Sequence, residues 1–260
     1  MMRKKPMLAY PVSDKPIDYS KPVFIQPKLD GVRCVIQYDK EYGVKAYSRT
    51  GKEWKNIDHI RMQLWDFFQK YPNVVLDGEL YNHDLKDDFE KIISLVRKTK
   101  PTLDDRLESE EMVQFHCYDT IMEHMPYDQR NEFINKALML IPSVHIVDTN
   151  MLFREDDAKV YHNRNLDKGY EGSIVRTNDV YKCGRSWNLR KFKDFHDAEA
   201  TLLAWVEGKG KRKGTVGKFM AVDADGNEFG MPVMAPFKYL QDNFEEMKTW
   251  VGKIATFTYF

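Results

Sequence analysis

The feature that most constrains the fold is a lysine placed inside a series of short, strand-like runs near the N-terminus. The stretch FIQPKLDGVRCVIQY, residues 24–38, places Lys28 among apolar residues and follows it with an Asp-Gly turn signal and with Arg33. Partial burial and nearby positive charge both favour the neutral form of a lysine, and a neutral amine is a good nucleophile. The alternative is a strand lysine that extends its charged end to the surface beside a turn.

Strand and helix patterns are mixed along most of the chain. Apolar runs predict strands at 22–27, 32–38, 43–48, 74–81, 112–121, 172–177 and 188–193. Apolar residues at helical spacing predict helices at 57–71, 87–98, 126–141 and within 153–168. From about residue 197 the chain shows only short alternating strands with turns, which is typical of a small β-barrel. We therefore expect an α+β domain followed by a small all-β domain, with a boundary near 194–197.

The charged residues are balanced in number but unevenly distributed. The chain has 40 basic and 40 acidic residues, so no overall basic field indicates a nucleic-acid partner. Residues 182–193 and 208–218 each carry five basic side chains and no acid, whereas residues 77–90 carry six acids and one lysine. Such blocks fit a protein that binds both a polyanion and a divalent cation. The alternative is that each run is an ordinary solvated face.

The composition argues against several other classes of protein. A hydrophobic content of 42% is enough for a substantial core, and no stretch approaches the roughly 20 apolar residues of a membrane span. The basic N-terminus is followed by too short an apolar stretch for a secretory signal. Cys34, Cys117 and Cys183 lie far apart, and the seven histidines form no pair at metal-ligand spacing, so neither a disulfide framework nor a zinc site is indicated.

Lys28 belongs to a longer pattern, K-x-D-G-x-R, which is KLDGVR in this sequence. Further motifs follow in the order SRTG (48–51), LDGELY (76–81), FHCYDTI (115–121), EGSIVR (171–176), LRKFK (189–193) and DAEATL (197–202). With these motifs in this order, the chain resembles ATP-dependent DNA ligases of the small viral or bacteriophage type. These enzymes belong to the covalent nucleotidyltransferase superfamily. The resemblance covers nearly all of residues 20–205 and is weaker beyond them.

The resemblance implies a fold and an activity. The fold is a nucleotidyltransferase (ATP-grasp-like) domain of antiparallel sheets with flanking helices over residues 1–195, followed by an OB-fold domain over residues 196–260. Relatives carry a further segment beyond the point where this sequence ends, so we expect the barrel to lack its last strand or strands. The activity is the sealing of nicks in duplex DNA, with ATP and Mg²⁺ (or Mn²⁺) as cofactors. We expect a cytoplasmic monomer, in the host cell if the protein is viral, that binds nicked duplex DNA and no membrane.

The resemblance also assigns roles to single residues. Lys28 would attack the α-phosphate of ATP and carry AMP, which would then pass to the 5′-phosphate of the nick. The residues implied in catalysis are Lys28, Arg33, Lys191 and Lys193. Those implied in binding ATP or AMP are Gln26, Lys28, Leu29, Arg33, Arg49, Glu79, Tyr118, Arg176, Lys191 and Lys193. The implied metal ligands are Glu79 and Glu171, and the implied DNA contacts are Arg49, Arg185, Lys209, Lys211, Arg212, Lys213 and Lys218.

These residue types suit phosphoryl transfer, in which positioning and charge neutralisation supply most of the catalysis. Lys191 and Lys193 alternate along a predicted strand and therefore face the same way, while Arg190 faces the other way. Guanidinium groups can hold phosphate oxygens through two parallel hydrogen bonds. Two carboxylates are adequate for Mg²⁺ when phosphates and water complete its ligands. The alternative for Arg49 and Arg176 is a surface salt bridge.

The remaining motif residues have both functional and structural interpretations. Tyr118 is expected to stack on adenine, and the alternative is a core aromatic. Asp30 and Asp77 are expected to cap turns beside their glycines. Gly31 is expected to let a phosphate-bearing ligand approach the backbone.

Three other functions are compatible with parts of the pattern. An RNA ligase and an mRNA-capping guanylyltransferase share K-x-D-G and the later carboxylates, although LDGELY and DAEATL favour a DNA ligase. A non-catalytic nucleic-acid-binding relative should have lost the lysine or the carboxylates, and both are present here. Taken singly, Glu79 and Glu171 are also compatible with exposed residues after turns.

Overall fold

The computed structural model describes residues 4–193 and 196–259. The chain divides into two compact units, residues 1–193 and residues 194–260. The boundary expected from the sequence was two residues later, after residue 195. None of the helices in the described ranges is long and apolar enough to cross a lipid bilayer.

The N-terminal unit contains ten strands and six α-helices in its described part. The strands are β1 Met7–Pro11, β2 Val23–Pro27, β3 Val32–Asp39, β4 Gly43–Tyr47, β5 Val75–Tyr81, β6 Gln114–Thr120, β7 Val144–Ile146, β8 Asn150–Leu152, β9 Ser173–Thr177 and β10 Gly184–Phe192. The helices are α1 Asp58–Gln63, α2 Trp65–Lys70, α3 Phe89–Val96, α4 Leu103–Met112, α5 Tyr127–Leu138 and α6 Glu155–Asp167. One sheet has the order β1-β10-β9-β2-β8 and the other β4-β3-β5-β6-β7. Pairing is antiparallel except between β1 and β10 and between β6 and β7.

Strand β3 shows how the two sheets and the helices form layers. Ile36 belongs to the core between the second sheet and helices α1, α2, α3 and α5. Val35 points to the opposite face and packs in a cluster with Leu189 of β10, in the first sheet. Because alternate residues of a strand share a face, Arg33 points towards the first sheet as Val35 does. The space between the two sheets therefore receives the charged motif residues.

The predicted strands and helices of this unit are largely confirmed, but strands β1, β7 and β8 were not predicted, and two differences concern the helices. The predicted helix at 57–71 is two helices, because Leu64 ends α1 and precedes α2. Helix α4 was not predicted, since it is polar on almost all sides and buries only Ser109. Its sequence signal was the capping box formed by Thr102 and Asp105.

The described part of the C-terminal unit, residues 196–259, is a four-stranded antiparallel sheet with two short helices. Its elements are β11 His196–Glu207, β12 Val216–Val222, β13 Glu228–Pro232, α7 Phe237–Asp242, α8 Phe244–Lys248 and β14 Ile254–Tyr259. The strand order is β13-β12-β11-β14. The expectation of an all-β unit is wrong, because α7 and α8 contribute Leu240 and Met247 to the core beside Phe219. The hydrophobic residues of 237–248 are spaced as in a helix and not as in a strand, so that one side of each helix packs on the sheet.

Candidate active site

Two backbone hydrogen bonds place Lys28 beside the segment that contains Glu171. The N–H of Lys28 donates to the carbonyl of Gly172 (2.9 Å), and the N–H of Glu171 donates to the carbonyl of Lys28 (3.2 Å). Gly172 has a φ of 142°, and a Cβ there would lie 2.3 Å from the carbonyl oxygen of Phe192. Only glycine allows this approach, which brings the end of β10 against the same segment. Three motifs that are distant in sequence therefore meet.

Glu171 forms ion pairs with two lysines. Its Oε2 contacts the Nζ of Lys28, and its Oε1 contacts the Nζ of Lys193. The side chains are partly buried, with exposed fractions of 21% for Lys28, 17% for Glu171 and 10% for Lys193. One carboxylate thus lies between two ammonium groups in a site that water reaches only in part.

Lys28 also lines a cavity of about 250 Å³. The lining residues are Leu8, Ala9, Gln26, Pro27, Lys28, Leu29, Arg33, Arg49, Glu79, Tyr118, Ile174, Arg176, Leu189 and Lys191. Nine of the ten residues that the sequence implied for binding ATP or AMP are in this set. The tenth, Lys193, is held next to Lys28 by Glu171.

The charge of the cavity wall suits a ligand with phosphate groups. Five of the lining residues are basic and one, Glu79, is acidic. Lys28, Arg33 and Arg176 are each paired with a carboxylate outside the lining. Arg49 is exposed, and no ion-pair partner of Lys191 is found among the described residues. Charge-assisted hydrogen bonds to phosphate are among the strongest that side chains make. The residues present therefore fit ATP.

Glu79 and Tyr118 are hydrogen-bonded in the cavity wall. The Tyr118 hydroxyl donates to Oε2 of Glu79 (3.1 Å), and burial raises the pKa of Tyr118, so this hydroxyl keeps its proton at neutral pH. Burial also raises the pKa of Glu79 to about 7, although Arg33 and the Tyr118 hydrogen bond oppose the increase. The Tyr118 ring centroid lies 5.1 Å from Cζ of Arg33 and 5.4 Å from Cζ of Arg176. Stacking of adenine on this ring stays a prediction.

Arg33 is held by a fully buried carboxylate. Its Nε donates to Oδ1 of Asp77 (2.7 Å), and its Nη2 donates to Oδ2 (2.5 Å) and to the carbonyl of Met7 (3.1 Å). The hydroxyl of Tyr181 donates to the same Asp77 carboxylate (2.6 Å). The expectation that Asp77 caps a turn is wrong, because the residue lies inside β5 with its side chain in the interior.

A second buried carboxylate organises the floor of the cavity. Asp119 accepts hydrogen bonds from Arg130 (2.7 and 3.1 Å) and from Nη1 of Arg176 (2.8 Å). The Nε of Arg176 donates to Oε1 of Gln26 (2.7 Å), and the amide of Gln26 donates to the hydroxyl of Tyr127 (2.8 Å). Arg176 is therefore a buried residue and not the surface salt-bridge partner of the alternative interpretation.

Sequence reasoning missed the residues that support the predicted set. They are Asp77, Tyr181, Asp119, Tyr127 and Arg130. The available signal was an acidic residue within each of two apolar strands, since a buried charge is tolerated only when it is paired. The sequence did not identify the partner in either case.

The residues implied in DNA contact lie on exposed parts of both units. Arg185 of β10 is exposed, and its Nη1 donates to the carbonyl of Ala9 (2.6 Å). The basic residues of the 208–218 run surround a short 3₁₀ turn, Gly210–Arg212, and continue into β12. Its members Lys209, Lys211, Arg212, Lys213 and Lys218 are all exposed.

The two acids implied as metal ligands differ in their surroundings. Glu79 lies in the cavity wall, whereas Glu171 is paired with two lysines. Within residues 4–193 and 196–259, no group of three or more His, Cys, Asp or Glu side chains could hold a metal. Mg²⁺ commonly takes one or two carboxylates and completes its ligands with phosphate oxygens and water. The donor set therefore fits a cation that arrives with a phosphate ligand.

Comparison with known proteins identifies the class. A model of the ATP-dependent DNA ligase domain family matches residues 6–193. The DNA ligase of African swine fever virus is 30% identical over 202 residues, which cover 74% of this chain and 46% of the relative. The DNA ligase of enterobacteria phage T4 is 24% identical over 225 residues, covering 70% and 46%. The chain thus spans about half the length of these curated relatives.

Solved structures show the same fold. A structure from a study of Lig E DNA ligases aligns with a TM-score of 0.80 at 23% identity and covers 99% of this chain and 93% of that one. The ATP-dependent DNA ligase of bacteriophage T7 in complex with ATP aligns with a TM-score of 0.57 at 16% identity, covering 98% and 93%. The chain belongs to the ATP-dependent DNA ligase domain family, which confirms the resemblance inferred from the motifs.

Proposed function

We propose that this protein seals nicks in duplex DNA by joining 3′-hydroxyl and 5′-phosphate ends with ATP. The position of Lys28 carries the proposal, since its amine lies among the basic residues of the cavity and beside Glu171. The family match supports the same function. In this proposal ATP is a substrate, bound with its phosphates towards Lys28.

The proposed reaction has three phosphoryl transfers. The ammonium of Lys28 first gives a proton to solvent, and the neutral amine attacks the α-phosphorus of ATP, so that a P–N bond forms as the bond to pyrophosphate breaks. The 5′-phosphate of the nick then takes the AMP group and frees the amine. Finally the 3′-hydroxyl attacks the nick phosphorus and AMP leaves. Arg33, Arg49 and Lys191 line the cavity, and in all three steps they would offset charge on the phosphate oxygens.

Glu79 and Glu171 would hold a divalent cation, Mg²⁺ or Mn²⁺, which supplies further positive charge to the phosphates. Glu79 can do so only when it has lost its proton, and its raised pKa places that loss near neutral pH. The Tyr118 hydroxyl orients the Glu79 carboxylate through its hydrogen bond.

The C-terminal unit is proposed to be an OB-fold that contacts DNA. In its sheet the first strand, β11, pairs with both the second and the last, while the two helices precede the last strand. The exposed basic run at 208–218 is its proposed contact with phosphates. A monomeric state, a cytoplasmic location and the absence of membrane association stay predictions.

Labelling with radioactive nucleotide tests the proposal. The protein is incubated with ATP or with GTP, each labelled at the α-phosphate, and the modified peptide is identified by mass spectrometry. We expect an AMP adduct on Lys28 and transfer of that label to nicked duplex DNA. Lys28→Ala should carry no label while it keeps the melting temperature of the parent protein.

Each alternative function predicts a different result when the assay is run with nicked RNA as well as nicked DNA. Label from GTP in place of ATP would identify a capping guanylyltransferase, and sealing of nicked RNA with no sealing of DNA would identify an RNA ligase. Binding of DNA without any covalent adduct would indicate a non-catalytic relative. Each of these outcomes would overturn the proposed function.

A further inference from the structure

A second charged cleft lies in the N-terminal unit and shares no lining residue with the cavity around Lys28. It has a volume of about 450 Å³. The charged residues of its wall are Lys45, Glu53, Lys55, Asp58, Arg61, Lys100 and Arg106. We call this set the basic cleft. Five of its members are basic and two are acidic, so three positive charges are in excess.

The two acids of the basic cleft are fully engaged with three of the cations. Glu53 pairs with Lys45 (2.8 Å) and Arg61 (3.7 Å). Asp58 pairs with Arg61 and with Arg106. These ion pairs tie the end of β4, the start of α1 and helix α4 into one surface, and they hold the two guanidinium groups in place.

The other two cations of the basic cleft are available to a ligand. Lys55 and Lys100 are exposed, and neither side chain has an ion-pair or hydrogen-bond partner within residues 4–193 and 196–259. Two unpaired ammonium groups beside ordered guanidinium groups form a surface that attracts phosphate.

The chain connects the basic cleft directly to the cavity around Lys28. Lys45 of β4 lines the basic cleft, and Arg49, just after the end of β4, lines the cavity around Lys28. A tight turn then returns the chain, since the N–H of Ser48 donates to the carbonyl of Lys52 (2.8 Å), and Glu53 comes back to the cleft. The four steps from Lys45 to Arg49 span at most roughly 13 Å, since β4 ends at Tyr47 and the chain then turns. The basic cleft is therefore within the rise of about four base pairs of DNA from Arg49.

We propose that the basic cleft binds backbone phosphates of duplex DNA a few base pairs from the nick. The inference rests on the proposed function, because it takes the cavity around Lys28 as the place where the nick is sealed. Contacts of this kind position the duplex and read no sequence. The ligand is thus a polyanion with regularly spaced phosphates, bound through Lys55, Lys100 and the two ordered arginines.

The test is the salt dependence of DNA binding by Lys55→Gln/Lys100→Gln. Affinity for a nicked duplex is measured by fluorescence anisotropy over a series of salt concentrations. Each phosphate contact contributes about 0.9 to the slope of log K against log salt, so we expect the slope to fall by about 2 and the affinity by roughly tenfold or more. Attachment of AMP to Lys28 should be unchanged. The matched control is Lys136→Gln/Lys159→Gln, which removes the same charge from exposed positions of α5 and α6 and should leave the slope nearly unaltered.

The outcomes separate this inference from the proposed function. If the parent protein binds nicked duplex and Lys55→Gln/Lys100→Gln binds it with the same slope and affinity, the basic cleft is not a DNA contact. If the double variant loses affinity for ATP and keeps its affinity for DNA, the cleft binds free nucleotide and the inference is wrong. If the parent protein binds no duplex at all, nick sealing itself is contradicted and the inference fails with it.

Discussion

Glu171 forms an ion pair with Lys28 through one carboxylate oxygen while its other oxygen pairs with Lys193. The backbone enforces this arrangement, because Lys28 and the 171–172 segment exchange two hydrogen bonds. The nucleophile proposed for AMP attachment is therefore positioned before any nucleotide binds. A preformed geometry of this kind reduces the ordering that the reaction would otherwise require.

Lys28→Arg should keep the ion pair with Glu171 while it removes the nucleophile. Arginine keeps the positive charge next to Glu171, but its guanidinium does not lose its proton in proteins and cannot act as the nucleophile. We expect no detectable AMP attachment from labelled ATP, with a free energy of unfolding within about 1 kcal/mol of the parent protein. A variant that still carried AMP would show that the nucleophile is another residue.

Asp77→Asn should destabilise the protein more than any change at Lys28. The substitution leaves the guanidinium of Arg33 partly buried without its anion and weakens the hydrogen bond from Tyr181. Removal of one partner from a buried ion pair costs about 3–5 kcal/mol. Denaturant unfolding measures this loss, and Tyr181→Phe is the matched control, with an expected cost of about 1–2 kcal/mol. Equal stability of Asp77→Asn and the parent protein would contradict the role assigned to Asp77.

Glu79→Gln should change how stability depends on pH. The pKa of Glu79 rises from 4.5 to about 7 on folding, so the folded protein holds this proton more tightly than the unfolded chain. The resulting contribution to stability is complete below about pH 4.5 and is lost as the pH rises through about 7. Glutamine stays neutral, so we expect the variant to match the parent near pH 4.5 and to melt at a higher temperature above pH 7.

Above pH 7, where Glu79→Gln is expected to raise stability, the same substitution should lower activity. AMP attachment by the parent protein is expected to increase as Glu79 ionises near pH 7, and Glu79→Gln should lose this increase together with most of the activity. Melting curves and labelling assays at matched pH values measure the two effects. A Glu79→Gln protein with the parent's pH–activity profile would show that Glu79 does not act as a carboxylate in the reaction.

Gly31→Ala should impair AMP attachment through Glu79. A Cβ at Gly31 would lie 2.6 Å from the carbonyl of Leu80 and 2.7 Å from Cγ of Glu79, so it would displace the Glu79 side chain. The sequence suggested close approach of a ligand as the reason for this glycine, whereas the structure shows close approach of β5. We expect a loss of about 1–3 kcal/mol in stability and a larger loss in labelling.

Gly78→Ala is the control for that prediction. A Cβ there would lie 2.4 Å from the carbonyl of His116 and 2.5 Å from the Phe115 ring, which is the side of β5 away from Glu79. We expect a similar loss of stability with labelling retained in the folded fraction. Equal effects of the two substitutions on labelling would show that Gly31 has no particular connection to Glu79.

Much of the candidate site could be predicted because motif residues and strand alternation are local properties. Lys28 and Glu79 were identified from their immediate neighbours, and both line the cavity. The function of Asp77 was misjudged, since an acid before a glycine resembles a turn cap until β5 is seen to be buried. Helix α4 was missed because most of its residues face solvent, so its apolar pattern is weak.

By itself the sequence determined which segments around Lys28, Arg33 and Glu79 form strands, the alternation that directs Lys191 and Lys193 to one face, and the family to which the chain belongs. Only the tertiary structure decided that Glu171 contacts two lysines, that Asp77 holds Arg33, and that the pKa of Glu79 lies near 7. The reason is physical. An ion pair or a shifted pKa depends on which groups lie close together away from water in the folded protein. Strand register and burial decide this, and neighbours along the chain do not.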